Sequence, residues 1–226
     1  MAVLLITGAS SGIGAATARH AVEAGWQVVL GARSDEKLNA LADELGGEHA
    51  VARRCDVTEW GDQQALVNTA LDSFGTLDAT FANAGFGAKR GFLEESVEHW
   101  RAMIDTNVYG CALTIRAALP HFRERGEGHF VLMSSVAGRR PLPGSLYSAT
   151  KHAVTAMGHA LRLEVAETDM RVTLIEPGAV DTPFFERVPT AALKDDDVAR
   201  AVMWALEQPP QVEVNEILVR PTHQPG

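Results

Sequence analysis

The sequence predicts an α/β protein with a single doubly wound parallel sheet and helices on both of its faces. Short apolar runs rich in β-branched residues alternate with amphipathic segments of roughly 10–20 residues, which is the pattern of successive β-α-β units. The chain has 226 residues and is 46% hydrophobic, enough for one sizeable core and too short for two ordinary domains. No linker or repeat interrupts the alternation, so residues 1–226 are predicted to form one domain.

Seven segments are predicted as strands, and the first is a continuous apolar run predicted to be buried on both faces, as is typical of parallel sheets. These strands are Ala2–Ile6, Gln27–Ala32, His49–Arg54, Leu77–Ala82, Gly128–Met133, Arg171–Ile175 and Asn215–Val219. The predicted helices run to Ala24, over Asp35–Leu45, over Glu59–Phe74, from after Ser96 to Arg125 with a kink near Asn107, from Tyr147 through Val165, and over Asp195–Glu207.

Charge and composition exclude several function classes. A net charge of −9 and a pI near 5.3 argue against a nucleic-acid or anionic-membrane surface, which needs a basic face. The N-terminal apolar run is too short for a signal peptide, and no apolar stretch is long enough to span a bilayer. Cys55 and Cys111 provide no disulfide framework, and the scattered histidines provide no metal site. We therefore predict a cytoplasmic protein without a metal.

A glycine-rich turn, Thr7–Gly14, follows the first strand and precedes an alanine-rich helix. Glycines let the backbone approach a pyrophosphate closely, and a helix N-terminus offers free N–H groups and a positive dipole end. Such a turn is a weak signal alone, and its place at the first strand–helix junction strengthens it.

The end of the second strand predicts the cofactor preference. Folds that bind NAD usually place an acidic residue here for the ribose 2′-OH, but this chain has Ala32 followed by Arg33. A guanidinium suits a 2′-phosphate, so NADP(H) is predicted to be preferred over NAD(H). Asp35 would favour NAD instead, but Ser34-Asp35-Glu36 has the pattern of a helix N-cap and first turn. The alternative for Arg33 is a solvated residue at a strand end.

Tyr147 and Lys151 are spaced i,i+4 in a segment with helical periodicity, which places a phenol beside an ammonium. A nearby cation favours the phenolate and lowers the phenol pKa from its usual value of about 10. Such a tyrosine exchanges a proton with a substrate oxygen. Taken alone, the pair is better explained as two surface residues of an amphipathic helix.

Residues with turn or chemical character follow the carboxyl ends of the predicted strands, where doubly wound sheets bind ligands. Together they resemble the classical short-chain dehydrogenase/reductase family over nearly the whole chain. The shared motifs are Thr7-Gly8 with Gly12-Ile13-Gly14, Asn83-Ala84-Gly85, Asn107, a serine before Val136-Ala137-Gly138, Tyr147-x-x-x-Lys151, and Pro177-Gly178. The resemblance implies a Rossmann fold and hydride transfer between NADP(H) and a carbonyl or alcohol substrate. The segment after Glu213 more weakly resembles reductases of hydroxy acids and varied carbonyls.

The resemblance also implies the catalytic roles. Tyr147 is expected to be the general acid/base, and Lys151 to lower its pKa and bind the nicotinamide ribose. Asn107 is expected to anchor a water that links Lys151 to solvent. A serine is expected to hold the carbonyl oxygen: the usual spacing points to Ser134, whereas Val136-Ala137-Gly138 aligns Ser135. We predict Ser135, with Ser134 as the alternative.

The same resemblance assigns cofactor contacts. Ser11, Ile13 and Gly14 are expected at the pyrophosphate, Arg33 at the 2′-phosphate, Asp56 and Val57 at the adenine, Asn83 and Gly85 along the ribose, and Val180 and Thr182 at the carboxamide. The predicted set is completed by Gly8, Ser10, Gly12, Ala84, Tyr147, Lys151, Pro177 and Gly178.

Three further expectations concern the surroundings of the site. In the family, the helices corresponding to Ser96–Arg125 and Tyr147–Glu167 pair across a two-fold axis, which implies a homodimer or homotetramer. Phe86, Leu142, Phe184 and Phe185 are predicted to line the substrate pocket or to pack in the core. The segment from Thr182 to the last helix is short, which predicts an open, weakly selective pocket.

A nonenzymatic NADP-binding sensor or interaction module is the alternative function, but it has no need for Asn107, a serine, Tyr147 and Lys151 together.

Overall fold

A parallel sheet of seven strands forms the centre of the computed structural model, which describes residues 1–183 and 191–224. Its strands are β1 (Val3–Thr7), β2 (Gln27–Ala32), β3 (Ala50–Arg54), β4 (Ala79–Ala82), β5 (Glu127–Met133), β6 (Asp169–Pro177) and β9 (Glu216–Val219). Two short strands, β7 (Val180–Asp181) and β8 (Leu193–Lys194), pair separately. The order β3-β2-β1-β4-β5-β6-β9 reverses direction between β1 and β4, which is the switch point where such sheets bind ligands. The predicted α/β class is confirmed.

Seven helices surround the sheet in the described ranges. They are α1 (Gly12–Glu23), α2 (Asp35–Leu45), α3 (Trp60–Phe74), α4 (Val97–Ile104), α5 (Cys111–Arg125), α6 (Leu146–Glu164) and α7 (Asp195–Leu206). Successive strand residues point to opposite faces, so each apolar strand feeds two cores. Leu4 and Ile6 of β1 pack with residues of α1, α2 and α7, whereas Val3 and Leu5 pack with residues of α3, α5 and α6.

The kink expected near Asn107 is a π-helical turn, Asp105–Gly110, between α4 and α5. The described structure also differs from the expectations at element ends. Strand β6 extends to Pro177 because its last residues pair with β9, which the apolar run Arg171–Ile175 did not indicate. Strands β7 and β8 were missed because pairs of residues carry no periodic signal.

Candidate active site

A cavity of about 580 Å³ lies beyond the carboxyl ends of the central strands. It is lined by most of the residues that the sequence singled out, namely Gly8, Ser10, Ser11, Gly12, Ile13, Arg33, Asp56, Val57, Asn83, Ala84, Gly85, Ser135, Tyr147, Lys151, Pro177, Gly178, Val180 and Thr182. Gly14 and Asn107 are not among the residues that line the cavity. The motifs therefore meet at one site although they are dispersed along the chain.

The turn after β1 has a backbone that a ligand can approach closely. Gly8 has φ +68° and Gly12 has φ +52°, the left-handed region that favours glycine. A Cβ on Gly14 would lie 2.4 Å from the carbonyl oxygen of Gly8, so Gly14 is required for packing α1 on the turn. Helix α1 begins at Gly12, and Ser11 makes no side-chain capping hydrogen bond. The N–H groups of the first helical turn thus suit an anionic ligand such as a pyrophosphate.

The turns after β1 and β4 are joined by hydrogen bonds. Thr7 Oγ1 accepts from the N–H groups of Asn83 (3.1 Å) and Ala84 (3.2 Å). Asn83 Nδ2 in turn donates to the carbonyl oxygens of Thr7 (3.0 Å) and Gly8 (3.2 Å). Asn83, expected along the ribose, therefore uses its side chain to hold the two turns together.

Arg33 and Asp56 lie at the far end of the cavity, where an adenine would be held. Asp56 Oδ1 accepts from the backbone N–H (3.0 Å) and the hydroxyl (2.8 Å) of Thr58. Burial raises the pKa of Asp56, but these hydrogen bonds and the charges of Arg33 and Arg54 outweigh it, so the net pKa is lowered. Arg54, which the sequence analysis missed, pairs in register with Ala32 and adds a second guanidinium near this end. The consecutive arginines that end β3 are a signal that could have indicated it.

Ser135 and Tyr147 meet at the centre of the cavity. The Ser135 hydroxyl hydrogen-bonds to the phenol of Tyr147, accepts from the N–H of Ala137 (3.1 Å) and lies 3.4 Å from the carbonyl oxygen of Pro177. Ser134 Oγ lies 2.7 Å from Thr155 Oγ1 and donates to the Lys151 carbonyl, both on α6. The geometry therefore brings the predicted Ser135, and not its alternative Ser134, to the phenol.

Lys151 is buried and its Nζ donates to the Met133 carbonyl oxygen at 2.7 Å. The same Nζ lies 5.7 Å from the centroid of the Tyr147 ring. Burial lowers the pKa of Lys151 to about 8, and burial raises the pKa of Tyr147 while its hydrogen bond with Ser135 lowers it only in part. The expected lowering of the phenol pKa by Lys151 is thus wrong for this structure, because burial dominates and the ammonium sits over the ring against a backbone carbonyl.

Asn107 lies in the π-helical turn and is almost completely buried. Its Nδ2 donates to the carbonyl oxygen of Phe86 (2.9 Å) and to Thr150 Oγ1 (3.2 Å), and its Oδ1 accepts from the N–H of Phe86 (3.0 Å). Asn107 therefore ties the loop after β4 to helix α6, next to Lys151.

The other end of the cavity is lined by side chains from three loops. Its residues are Phe86, Gly87, Ala88, Arg90, Leu142, Ser145 and Gln224. Phe86 and Leu142 are among the predicted pocket residues, whereas Phe184 and Phe185 lie outside the described residues. The N–H of Gly91 donates to the carbonyl oxygen of Gly144 at 2.8 Å, which joins two of these loops. Gln224 was missed, because it belongs to none of the motifs that the sequence contains.

Comparison with known proteins shows the family to which the chain belongs. A sequence profile described as short chain dehydrogenase matches residues 2–192, so the chain belongs to the short-chain dehydrogenase family. An uncharacterised oxidoreductase of Staphylococcus haemolyticus is 41% identical over 223 residues, covering 97% of this chain and 96% of that protein.

Solved structures of related enzymes superpose closely. An alcohol dehydrogenase of the archaeon Thermococcus sibiricus, complexed with 5-hydroxy-NADP, has a TM-score of 0.93 at 33% identity over 100% of this chain and 99% of that chain. A 3-ketoacyl-(acyl-carrier-protein) reductase of Brucella melitensis, complexed with NADH, has a TM-score of 0.90 at 31% identity over 97% and 96%. The protein is thus an oxidoreductase of a family that uses nicotinamide cofactors.

Within the described ranges, no helix is long and apolar enough to cross a membrane. No group of three or more His, Cys, Asp or Glu side chains in the same ranges could hold a metal ion.

Proposed function

We propose that the protein is an NADP(H)-dependent oxidoreductase acting on a carbonyl or alcohol substrate, with both sites in a single domain. The observation that carries the proposal is that Ser135, Tyr147 and Lys151 share one cavity with the glycine-rich turn. The fit to the cofactor rests on that turn, on the N-terminus of α1 and on Arg33. When bound, NADP(H) supplies or accepts the hydride.

The chain's own residues handle the proton. In reduction, Tyr147 donates its phenolic proton to the substrate oxygen, and Ser135 hydrogen-bonds to the same oxygen and orients it. A positioned acid of this kind is worth roughly 10²–10⁴ in rate. The phenol is protonated at neutral pH, as an unperturbed tyrosine is, and burial, which raises the pKa of Tyr147, makes it a weaker acid. The opposite direction requires a phenolate and hence more positive charge near the ring.

The preference for NADP(H) rests on Arg33, and Arg54 adds positive charge at the same end of the cavity. Related structures contain an NADP derivative in one case and NADH in another, so the proposed preference is argued from these side chains and not from the family. The alternative of a nonenzymatic cofactor sensor is not favoured, because a sensor requires no Ser135–Tyr147 pair in the cavity.

Arg90 supports a substrate that carries an anionic group. It lines the cavity at the end opposite Arg33, and within the described ranges it has no carboxylate in ion-pair distance. Asp56, the acidic residue that lines the same cavity, lies at the adenine end. A guanidinium at the mouth therefore favours a keto or hydroxy acid over a neutral analogue.

We also propose a cytoplasmic homodimer or homotetramer. Cys55 and Cys111 are free and buried, which suits a reducing compartment. Large apolar side chains are exposed on α4, on the π-helical turn and on α6, namely Val97, Ile104, Tyr109 and Leu163. Light scattering of the purified protein tests this assembly, and charged replacements of Tyr109 and Leu163 are expected to reduce the mass if those helices form the interface.

A panel of ketones, keto acids and their neutral esters, assayed by NADPH absorbance, tests the proposed reaction. We expect turnover with NADPH, faster than with NADH, and higher kcat/KM for keto acids than for esters of the same chain length. Absence of NADPH or NADH consumption with every carbonyl, and of the reverse reaction with the alcohols, would refute the enzymatic assignment.

A further inference from the structure

The segment that follows β9, Pro221–Gln224, reaches into the cofactor cavity. The N–H of Gln224 donates to the carbonyl oxygen of Pro221 at 3.0 Å, which turns the chain back toward the sheet. The Gln224 side chain then lines the same cavity as Tyr147 and Ser135. Sequence proximity does not explain this placement, because Ala179, its hydrogen-bond partner in the loop after β6, lies 45 positions earlier in the chain.

Gln224 holds the loop that follows β6. Its Oε1 accepts a hydrogen bond from the N–H of Ala179 at 2.9 Å. A Cβ on Gly178 would lie 2.1 Å from that Oε1, so the glycine is required to admit the side chain. The N–H of Gly178 also donates to the carbonyl oxygen of Val219 at 2.8 Å, which fixes the loop to β9 from the same side.

The loop held in this way reaches the reacting centre. The carbonyl oxygen of its first residue, Pro177, lies 3.4 Å from Ser135 Oγ. Its later residues Val180 and Thr182 line the cavity, and the family resemblance implies that they contact the carboxamide of the nicotinamide. Gln224 is therefore linked by one hydrogen bond to the loop that lines the part of the cavity where the nicotinamide ring is expected to bind.

We infer that Gln224 is a positioning residue, which fixes the loop Pro177–Thr182 for the nicotinamide half of the cofactor and leaves the adenine half to other residues. This inference rests on the proposed function, because it assumes that NADP(H) occupies the cavity. Gln224 Oε1 accepts from the Ala179 N–H, so the inference assigns its effect to the loop and not to the reacting atoms.

The test compares two ligands that differ by the nicotinamide half: NADP⁺ and adenosine 2′,5′-bisphosphate, each titrated calorimetrically. Gln224→Ala removes the acceptor for the Ala179 N–H, Gln224→Glu keeps an acceptor, and His223→Ala is the control at the exposed neighbouring position. We expect Gln224→Ala to weaken NADP⁺ binding roughly two- to tenfold, the usual effect of one lost hydrogen bond, and to leave the bisphosphate unchanged. Gln224→Glu and His223→Ala are expected to bind both ligands like the unaltered protein.

Gly178→Ala adds an independent arm. Its methyl group would collide with Gln224 Oε1, so it should also weaken NADP⁺ selectively, and the double variant Gly178→Ala/Gln224→Ala should lose less than the product of the single effects. Unchanged NADP⁺ affinity in Gln224→Ala, parallel loss of both ligands, or multiplicative single effects would each overturn the inference. An unaltered protein that reduces no carbonyl would instead refute the proposed function, which separates the two failures.

Discussion

The two ends of the cavity are built from different parts of the polypeptide. At the cofactor end the wall is backbone: the turn after β1, the turn after β4 and the N-terminus of α1, locked together by Thr7 and Asn83. At the substrate end the wall is side chains from loops, such as Phe86, Arg90 and Leu142. A backbone wall is constrained by the sheet itself, whereas loop side chains change without disturbing it. The first end therefore carries the family's common chemistry, and the second carries what is particular to this chain.

The sharpest test of this division is Tyr147→Phe, which removes only the hydroxyl at the boundary between the two ends. We expect kcat to fall by at least about 10²–10⁴, because the proton donor is lost. The dissociation constant for NADPH, measured by fluorescence titration, should rise by no more than about tenfold, the upper range for one lost neutral hydrogen bond. Substantial residual kcat would show that the reacting proton comes from elsewhere.

Arg33→Ala probes the cofactor end. Loss of a charged hydrogen bond to the 2′-phosphate should lower the ratio of kcat/KM for NADPH over NADH by roughly 10- to 100-fold. Arg54→Ala is the matched variant on the neighbouring strand, and its effect should be smaller because Arg54 does not line the cavity. If the ratio stays constant in Arg33→Ala, the side chain is a solvated strand end and the preference lies elsewhere.

Lys151→Met tests the cost of the buried ammonium. The folded-state pKa of Lys151 is about 8, below its ordinary value of 10.5, so the folded state disfavours the charged form. The unaltered protein therefore gains stability as pH rises from about 8 to 10.5, where the unfolded chain still binds the proton and the folded chain does not.

Below pH 8 the methionine variant should be the more stable protein, although loss of the bond to Met133 opposes the gain. A net shift of about 2–4 °C in thermal midpoint is expected, corresponding to about 1 kcal/mol in a chain of this size. The advantage should diminish between pH 8 and 10.5 while activity remains low. A midpoint difference that does not change with pH would contradict the buried-charge explanation.

The smallest effect is expected at the substrate end. Arg90→Ala should raise KM for a keto acid about two- to fivefold, the range of an exposed charge pair, and leave KM for the neutral ester unchanged. Arg90→Lys keeps the charge and should recover most of the difference. Added salt should reduce the keto-acid preference of the unaltered protein and have no effect in Arg90→Ala. Equal KM changes for acid and ester would indicate a structural role for Arg90.

The same division explains which features the sequence predicted. The strands, the glycine-rich turn and the position of Arg33 follow from local patterns, and the structure contains each of them at the expected place in the fold. The sequence does not determine whether Ser134 or Ser135 faces the phenol. Adjacent residues at a strand end point in opposite directions, and only the structure shows that Ser134 is the one that packs against α6.

The pKa of Tyr147 and the place of Gln224 depend on three-dimensional contacts. Helical spacing correctly put Lys151 near the phenol, but the pKa of Tyr147 is set by burial, which raises it, and by the hydrogen bond with Ser135, which lowers it in part. Gln224 meets Ala179 through a fold-back of the chain, for which the sequence carries no periodic signal.

The π-helical turn at Asp105–Gly110 fixes the rotation of helix α4 relative to helix α5 about their common direction. Each residue of an α-helix adds a rotation of about 100° about the helix axis. One additional residue in the turn therefore determines which face of α4 points in the same direction as a given face of α5. Removing a single residue here would leave two intact helices whose faces no longer match. Met103 would then point out of the core, and the Asn107 amide would turn away from Phe86. A shorter and locally more regular helix would therefore give a less stable protein.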